Sequence, residues 1–310
     1  MLNSDWVLHR IIWQLRILRK HKKKLKKYYD KEVHSISETN QKIRELIMTQ
    51  RPFMVGRLGN TELCTMVAYQ KECKSIIFKR KMNKWIVKNS GFFPCETNQI
   101  KNFVRLMEEA CSDVDILGTW THYMEDYIAN KYCKSDCWYG SFSGLEPWFS
   151  EQEPWSELLR GKKIVMVHPF ENTIKSQWLI REKLFDSPAI LPDFELRVVK
   201  AVQTLAGNSD GRFSNWFEAL DYMFKEVMKE DFDIAIIGCG AYGFPLAAKI
   251  KRAGKSAIHM GGAVQIFMGI KGRRWDNIPN ISRLYNEYWI RPLQEDIPNN
   301  SNQVEKGCYW

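Results

Sequence analysis

The segment 233–275 constrains the fold of this chain more than any other part of its sequence. Its apolar run from Ile234 to Ile237 has the composition of a buried strand, and Phe244 to Arg252 has the pattern of a helix. A turn containing three glycines separates them: Gly238, Gly240 and Gly243. A second short strand is predicted from Ala257 to Met260. Strand, glycine turn, helix and strand in this order predict a parallel βαβ unit.

The glycine turn of this unit is suited to binding phosphate. Backbone N–H groups converge at such a turn, and the following helix adds partial positive charge. From Ile234 to Trp275 there are seven Lys or Arg residues and no Asp or Glu. The Gly-x-Gly-x-x-Gly spacing is also a dinucleotide fingerprint, but an NAD site needs an acidic residue about 20 positions further on. His259 ends the second strand instead, which favours NADP or a nucleotide diphosphate. The alternative is that the glycines serve only helix–strand packing.

The net charge of +10 is concentrated near the N-terminus. Residues Trp6 to Tyr29 contain nine Lys or Arg and no acid, and the rest of the chain is nearly balanced in charge. A helix is predicted from Leu2 to Tyr29, and its apolar residues with the basic run Arg19 to Lys27 favour an anionic membrane surface. A solvated arm and a helix packed on a partner subunit are the alternatives. Polar residues interrupt the run, so it is not a transmembrane helix, and the confined charge argues against nucleic acid as a partner.

The remainder of the chain is long enough for a sizeable core. With 310 residues and 45% apolar composition it can form one large α/β domain or two smaller ones. We predict a basic amphipathic helix in residues 1–35 and an α/β domain in residues 36–310, with an aromatic-rich insertion at about 132–160 that lines a cleft. The eight cysteines show no zinc-site spacing. Without a signal peptide, they are expected to be reduced thiols in the cytoplasm.

Polar residues follow five strand-like runs, each just before a helix. They are Arg57, His122, His168, Cys239 and His259. Parallel strands with crossover helices produce this pattern, so a Rossmann-like α/β fold is predicted, with a mostly parallel sheet and flanking helices. Ligands bind at the carboxyl edge of such sheets.

Arg57 and Glu62 are the first candidate pair at that edge. Asn60 is predicted to be the N-cap of a helix that reaches Tyr69, which places Glu62 in its first turn. Together Arg57 and Glu62 could hold a phosphate and a metal or hydroxyl group. The alternative is that Glu62 only interacts with the helix dipole. His168 is a stronger functional candidate than His122, because a proline fixes the turn that follows it.

Several motifs occur together between Arg51 and Trp310. They are Arg57-x-Gly59-x-x-Glu62, His168-Pro-Phe with Thr173-Ile-x-x-Gln177, Gly238-Cys-Gly-Ala-Tyr-Gly-Phe-Pro-Leu246, His259-Met-Gly-Gly-Ala-Val-Gln265, Gly269-Ile-Lys-Gly-Arg-Arg-Trp275 and the terminal Cys-Tyr-Trp. As a set they resemble bacterial glycosyltransferases of the GT-D fold, of the type found in surface-polysaccharide assembly. The basic N-terminal helix lies outside this resemblance.

The resemblance implies a cytoplasmic enzyme, peripheral on the inner face of the membrane. It would transfer a sugar from a nucleotide-diphosphate sugar donor to a glycan or lipid-linked acceptor. It also implies Mn²⁺ or Mg²⁺ bound through an Asp-x-Glu motif. Here Asn60-Thr61-Glu62 stands in its place, so Glu62 is the single candidate metal ligand. An amide is a poor ligand for these ions beside a carboxylate, so this departure counts against a metal. The cations Lys271, Arg273 and Arg274 could take its place.

We therefore predict Glu62 as the catalytic carboxylate facing the sugar, with His168 as the second candidate base. The predicted donor-binding residues are Arg57, Gly59, Gly238, Gly240, Tyr242, Gly243, His259, Gly261, Gly262, Gln265, Lys271 and Arg273. Two other functions stay open at this stage. One is an NADP-dependent oxidoreductase with Lys255 or Arg252 on the 2′-phosphate, and the other is a non-catalytic membrane-associated scaffold.

Overall fold

A seven-stranded sheet forms the centre of the computed structural model, which describes residues 4–18, 25–205, 210–298 and 307–310. All of its strand pairs are parallel, and the spatial order is β5-β4-β3-β9-β8-β6-β7. The strands are β3 (Met54–Gly56), β4 (Ile116–Thr119), β5 (Trp138–Ser141), β6 (Lys163–His168), β7 (Glu195–Lys200), β8 (Ile234–Ile237) and β9 (Ser256–His259). A small antiparallel hairpin of β1 (Lys27–Tyr28) and β2 (Lys31–Glu32) precedes them. The predicted Rossmann-like α/β fold is confirmed.

Helices cover both faces of the sheet. They are α1 (Ser4–Leu18), α2 (Ile36–Met48), α3 (Asn60–Tyr69), α4 (Ile76–Ser90), α5 (Thr97–Cys111), α6 (Glu125–Tyr132), α7 (Glu171–Trp178), α8 (Trp216–Lys229), α9 (Gly243–Arg252), α10 (Ala263–Phe267), α11 (Arg273–Asp276) and α12 (Pro279–Ser282). In the described part of the chain, no helix is long and apolar enough to cross a bilayer.

The central strands are buried on both faces, which divides the core into two layers. In β6, Val165 and Val167 belong to one layer, whereas Ile164 and Met166 belong to the other. This alternation follows from the two-residue period of a strand. The continuous apolar runs of β6 and β8 therefore each supply both layers.

Helices that follow neighbouring strands leave the carboxyl edge of the sheet toward opposite faces. Leu63 of α3 and Leu246 of α9 lie in the first core layer. Ile174 of α7 and Val264 of α10 lie in the second layer. Because β8 and β9 both lie between β3 and β6, the divergence of these helices leaves a crevice above the four strand ends. Open α/β sheets bind their ligands at such a position.

The N-terminal helix α1 docks on the α/β domain through its aromatic residues. Trp6 packs edge-to-face on Tyr127 with ring centroids 5.1 Å apart, and Trp13 Nε1 donates a 2.9 Å hydrogen bond to Asp126 Oδ1. The prediction that this helix continues to Tyr29 is wrong, because β1 pairs with β2 as an antiparallel hairpin. Most of the basic run from Arg19 to Lys27 lies outside the described residues.

The aromatic-rich segment at 132–160 supplies part of the sheet. Residues Trp138–Ser141 form β5, which pairs with β4 as an edge strand. Trp155 is fully buried, and its backbone N–H group donates to Asn40 Oδ1 at 2.7 Å. Much of this segment therefore belongs to the packed domain.

Candidate active site

Arg57 lies at the centre of the carboxyl edge, directly after β3. Its guanidinium carbon is 4.5 Å from the ring centroid of Trp120 and 4.9 Å from that of Phe142. Its Nε donates a 3.0 Å hydrogen bond to the carbonyl of Met260. Because Trp120, Phe142 and Met260 follow β4, β5 and β9 respectively, four strand ends converge on this one side chain.

The surroundings of Arg57 concentrate positive charge where an anion could bind. Burial lowers the pKa of Arg57 to about 10, and the positive charge of Arg274 contributes to this shift. The groups Tyr309, Glu146 and Glu62 raise the pKa of Arg57 and so oppose this shift. Arg57 therefore keeps its charge at neutral pH. A partly desolvated guanidinium held by ring stacking presents its remaining N–H donors in a fixed orientation, which suits a phosphate.

Glu62 lies in the first turn of α3, and its side chain is 8% exposed. The Ser90 hydroxyl, at the end of α4, donates a 2.6 Å hydrogen bond to Glu62 Oε1. The N-cap of α3 is Gly59, so the prediction of Asn60 as the N-cap is wrong by one residue. Asn60 lies in the first turn instead, and its Oδ1 is 3.7 Å from the Cys64 thiol.

The residues around Glu62 do not fit a divalent metal. One carboxylate oxygen accepts from Ser90, and Asn60 offers an amide where a second carboxylate would be needed. Among the described residues, no group of three or more His, Cys, Asp or Glu could hold a metal ion.

The glycine turn lies beside Arg57 at the same edge. Gly240 has φ +60, and a Cβ there would meet no atom within 4 Å, so the turn is open on this side. Residues Gly240–Tyr242 form a 3-10 turn that continues into α9. The first N–H groups of a helix have no partner within it, so they can bind phosphate. An ideal Cβ on Gly238 would lie 2.7 Å from the carbonyl oxygen of Gly261 and 2.8 Å from Cδ2 of His168.

His168 is a hydrogen-bond donor in its neutral form. The Phe170 N–H group donates to its Nδ1 at 3.0 Å, so the proton of the neutral ring is on Nε2. Burial lowers the pKa of His168 to about 3. At neutral pH the ring has little tendency to take a proton, so its geometry favours donation from Nε2 over the predicted role as a base.

His259 and His122 are also neutral at physiological pH. His259 Nδ1 is 3.3 Å from the carbonyl oxygen of Ile237, which places the ring proton on Nδ1. Burial and the nearby Arg57 lower the pKa of His259 to about 3 and that of His122 to about 4. Gly243 makes room for the His259 ring, because an ideal Cβ would lie 2.2 Å from its Cε1.

The C-terminal residues dock at this edge. Gln265 Nε2 donates to the carbonyl of Tyr309 at 2.8 Å and to that of Lys271 at 2.9 Å. The Arg274 guanidinium lies 4.5 Å from the Tyr309 ring centroid. Gly262 lies close to this ring. An ideal Cβ on Gly262 would be only 3.2 Å from Tyr309 Cε1. The Gln265 amide therefore holds the backbone of the tail.

Three side chains that were predicted to bind the donor either contact other residues of the protein or are exposed. The Tyr242 hydroxyl is 3.0 Å from Thr204 Oγ1, and its ring stacks on Trp216 behind the glycine turn. The Lys271 ammonium lies 5.6 Å from the ring centroid of Tyr285. Arg273 is exposed. Arg274, one residue further on, is the cation whose charge lowers the pKa of Arg57.

Sequence reasoning assigned no role to five residues of this site: Ser90, Trp120, Phe142, Glu146 and Tyr309. Trp120 carried a usable signal, since it lies between one of the five predicted strand-like runs and His122, the residue named after that run. Phe142 carried none, because β5 was not predicted. Ser90 ends a helix and lies 28 positions from the carboxylate that it contacts, and nothing in the sequence pairs the two.

Comparison with known proteins gives three solved structures. No protein-family model matches the chain, and no curated protein matches it. One match is described as a selenomethionine-substituted structure of domain of unknown function 1792, with 15% identity, 74% coverage of this chain, 78% coverage of that chain and a TM-score of 0.37. A second is described as the same domain with a distinct glycosyltransferase fold, with 16% identity, coverage of 74% and 77%, and a TM-score of 0.36.

The third match is described as a new glycosyltransferase of this domain type from Streptococcus sanguinis. It has 12% identity, covers 84% of this chain and 98% of that chain, and has a TM-score of 0.39. These descriptions and the resemblance in the sequence name the same kind of fold. At such TM-scores the likeness says nothing about activity. The function must follow from the residues of this chain.

Proposed function

We propose that this chain is a glycosyltransferase that transfers a sugar from a nucleotide-diphosphate sugar to a glycan or lipid-linked acceptor in bacterial surface-polysaccharide assembly. The observation that carries the proposal is Arg57, a half-buried cation that four strand ends hold beside an open glycine turn. Cationic groups and backbone N–H groups fixed in one crevice match the negative charge that develops on a departing nucleoside diphosphate.

Each part of the crevice has a role in this reaction. Arg57 and Arg274 bind the diphosphate, together with the backbone N–H groups of the turn at Gly240. His168 Nε2 is available as a further donor beside the turn. Glu62 is the carboxylate that faces the sugar, where it orients a hydroxyl or accepts the proton of the acceptor. The Ser90 hydroxyl fixes the orientation of this carboxylate.

The positions of Lys255 and Arg252 count against the oxidoreductase alternative. Lys255 Nζ donates to the carbonyl of Phe232 at 2.8 Å, and Arg252 pairs with Asp113 at 2.6 Å. Lys255 precedes β9 and Arg252 ends α9, so both lie at the amino edge of the sheet. The four-residue strand β9 separates Lys255 from the carboxyl edge by roughly 13 Å. Neither cation is placed to bind a 2′-phosphate of a dinucleotide at the glycine turn.

The membrane location is part of the same proposal. A lipid-linked acceptor is presented at the inner face of the cytoplasmic membrane, and the sequence of the N-terminal segment favours an anionic surface. A peripheral enzyme would meet its soluble donor and its anchored acceptor there.

A thermal-shift screen of the full chain tests the reaction class. The ligands are UDP, GDP, CMP, UDP-sugars, NAD and NADP, each with and without Mn²⁺. A ligand present at 100 times its Kd stabilises the native state by about 2.7 kcal/mol. We expect a nucleoside diphosphate to raise Tm without Mn²⁺. An increase with NADP alone would support an oxidoreductase, and no increase with any ligand would support a scaffold.

A further inference from the structure

The outward face of α4 carries basic and apolar residues and no acid. Its exposed positions recur every three to four residues and include Ile77, Arg80, Lys81, Lys84, Trp85 and Lys88. From Cys73 to Cys95 the sequence has six Lys or Arg and no Asp or Glu. Within the ranges that the structure describes, no ion pair joins any of these six cations to an acidic side chain.

The apolar residues on this face are unusually accessible. Ile76 is 65% exposed and Ile77 is 82% exposed. Trp85 is 37% exposed, and the Lys81 ammonium lies 4.6 Å from its ring centroid. Isolated surface isoleucines are common. Adjacent isoleucines followed by Trp and Lys on one helix face are typical of a helix that lies in a membrane interface.

Helix α1 adds a second apolar surface next to α4. The Tyr123 ring connects them, since its centroid is 6.2 Å from that of Trp13 in α1 and 6.3 Å from that of Phe78 in α4. While Trp13 is buried, the other side of α1 exposes Leu8 by 56% and Ile11 by 48%. The two helices therefore present aliphatic side chains from neighbouring positions on the molecule.

A basic groove lies beside this surface, between α4 and α5. It has a volume of about 490 Å³. Lys79 and Arg80 of α4 line it together with Lys101 and Arg105 of α5, and Glu108 is its single acid. Four cations around one acid favour an anionic group. The phosphate of a lipid headgroup has this chemistry, and the adjacent Ile76 would contact its acyl region.

We propose that α4 and the exposed face of α1 together bind an anionic lipid bilayer, with headgroup phosphates in the groove between α4 and α5. The proposal goes beyond the transfer reaction and does not depend on it. It identifies α4 as a second membrane-binding element in addition to the N-terminal segment. Because α4 also ends at Ser90, which contacts Glu62, the bilayer surface and the candidate active site share one helix.

Vesicle sedimentation of the full chain tests the proposal. One set of vesicles is phosphatidylcholine alone, and the other is equal parts phosphatidylcholine and phosphatidylglycerol. We expect binding to the anionic vesicles only, weakened by salt. Each cation near such a surface strengthens partitioning roughly fivefold. The variant Arg80→Gln/Lys84→Gln should therefore weaken it on the order of 25-fold, and Ile76→Ser/Ile77→Ser should also weaken it.

The matched control is Lys225→Gln/Lys229→Gln, which removes the same formal charge from exposed positions of α8. It should bind vesicles as the wild type does, and all variants should keep the wild-type Tm. Equal binding by the α4 charge variant and the wild type would overturn the proposal. If Ile76→Ser/Ile77→Ser turned a dimer into a monomer and left vesicle binding unchanged, the face would bind a second copy instead. Nucleotide binding is measured separately, by thermal shift. A failure of the proposed transfer function is therefore distinguishable from a failure of the membrane proposal.

Discussion

The carboxylate of Glu62 lies in the space that a side chain on Gly59 would occupy. An ideal Cβ on Gly59 would be 2.0 Å from Glu62 Oε2. The backbone of Gly59 has φ −73 and ψ 150, a conformation that any residue adopts. Glycine is therefore required here for space and not for its conformational freedom. The pair provides a way to displace the Glu62 carboxylate without changing Glu62 itself.

Gly59→Ala should leave the fold intact and reduce transfer. Alanine suits this backbone, so the free energy of unfolding should fall only by about 1.5–3 kcal/mol, the cost of the hydrogen bond between Ser90 and the displaced Glu62 carboxylate. The displaced carboxylate would lose its hydrogen bond from Ser90 and the position that we propose for it at the sugar. Since a positioned acid or base contributes about 100-fold or more, the turnover rate should fall by at least about that factor. Turnover of the donor found by thermal shift is measured beside Tm.

Gly211→Ala is the control for the Gly59 substitution. No atom lies within 4 Å of an ideal Cβ at Gly211, so alanine is accommodated there without displacing a neighbour. This variant should have wild-type turnover and nearly wild-type Tm. Wild-type turnover in Gly59→Ala as well would show that Glu62 does not act at the position that the structure gives it.

Arg57→Lys should weaken nucleotide binding although it keeps the charge. Lysine lacks the planar group that lies against Trp120 and Phe142, and it cannot reproduce the Nε bond to Met260 together with donors to phosphate. Charge-assisted hydrogen bonds contribute about 1.5–3 kcal/mol, so the Kd for the nucleoside diphosphate should rise by roughly 10- to 100-fold. Calorimetric titration measures this change.

Arg160→Lys is the matched substitution at a surface position. Arg160 pairs with Glu157, and its side chain is 52% exposed. Nucleotide affinity should stay unchanged in this variant. If Arg57→Lys also kept the wild-type Kd, the planar contacts of Arg57 would serve packing alone, and the diphosphate would bind elsewhere on the edge.

The fold was largely predictable because its main signals are local. The apolar strand β8, the glycine turn and α9 follow each other in sequence, and β6 reads as a continuous apolar run. β5 was missed because Trp138–Ser141 is a short edge strand, half-exposed at both ends. Aromatic and small residues in such a strand have no alternation that distinguishes them from a loop.

The site was predictable only where one residue follows one strand. Arg57 comes directly after a strand, whereas His168 and His259 each end one, and the structure brings all three to one edge. Distant contacts were not predictable, and Ser90 with Glu62 is the clearest case. The choice between Arg273 and Arg274 depends on which side of the short helix α11 faces Tyr309, and sequence spacing does not report this. The exposed isoleucines of α4 also look like core positions in the sequence.

Gln265→Leu tests whether the amide of this residue holds the tail or contacts the donor. In the structure its Nε2 donates to the carbonyls of Lys271 and Tyr309. Leaving these two half-buried carbonyls without their donor should cost about 1–3 kcal/mol, so Tm should fall. Nucleotide affinity should fall as well, because the tail positions Tyr309 against Arg274. An unchanged Tm with a raised KM would instead support direct contact with the sugar hydroxyls.

The buried histidines should make the protein less stable in mild acid. In the folded state burial lowers the pKa of His168 and of His259 to about 3. In the unfolded state both have pKa values of about 6.5. Below that pH the unfolded chain binds protons that the folded chain does not, so stability is complete above pH 6.5 and falls with pH toward 3. The loss is about 1.4 kcal/mol per histidine for each pH unit.

Urea unfolding at pH 7.5 and at pH 5.5 measures this effect. The two histidines together should lower the free energy of unfolding by roughly 2–3 kcal/mol between these pH values. His168→Asn keeps an acceptor for the Phe170 N–H group and removes one of the titrating rings. The variant should therefore lose about 1.4 kcal/mol less than the wild type over the same interval. An equal loss in the variant and the wild type would mean that His168 is protonated in the folded protein, and its role as a neutral Nε2 donor would then be wrong.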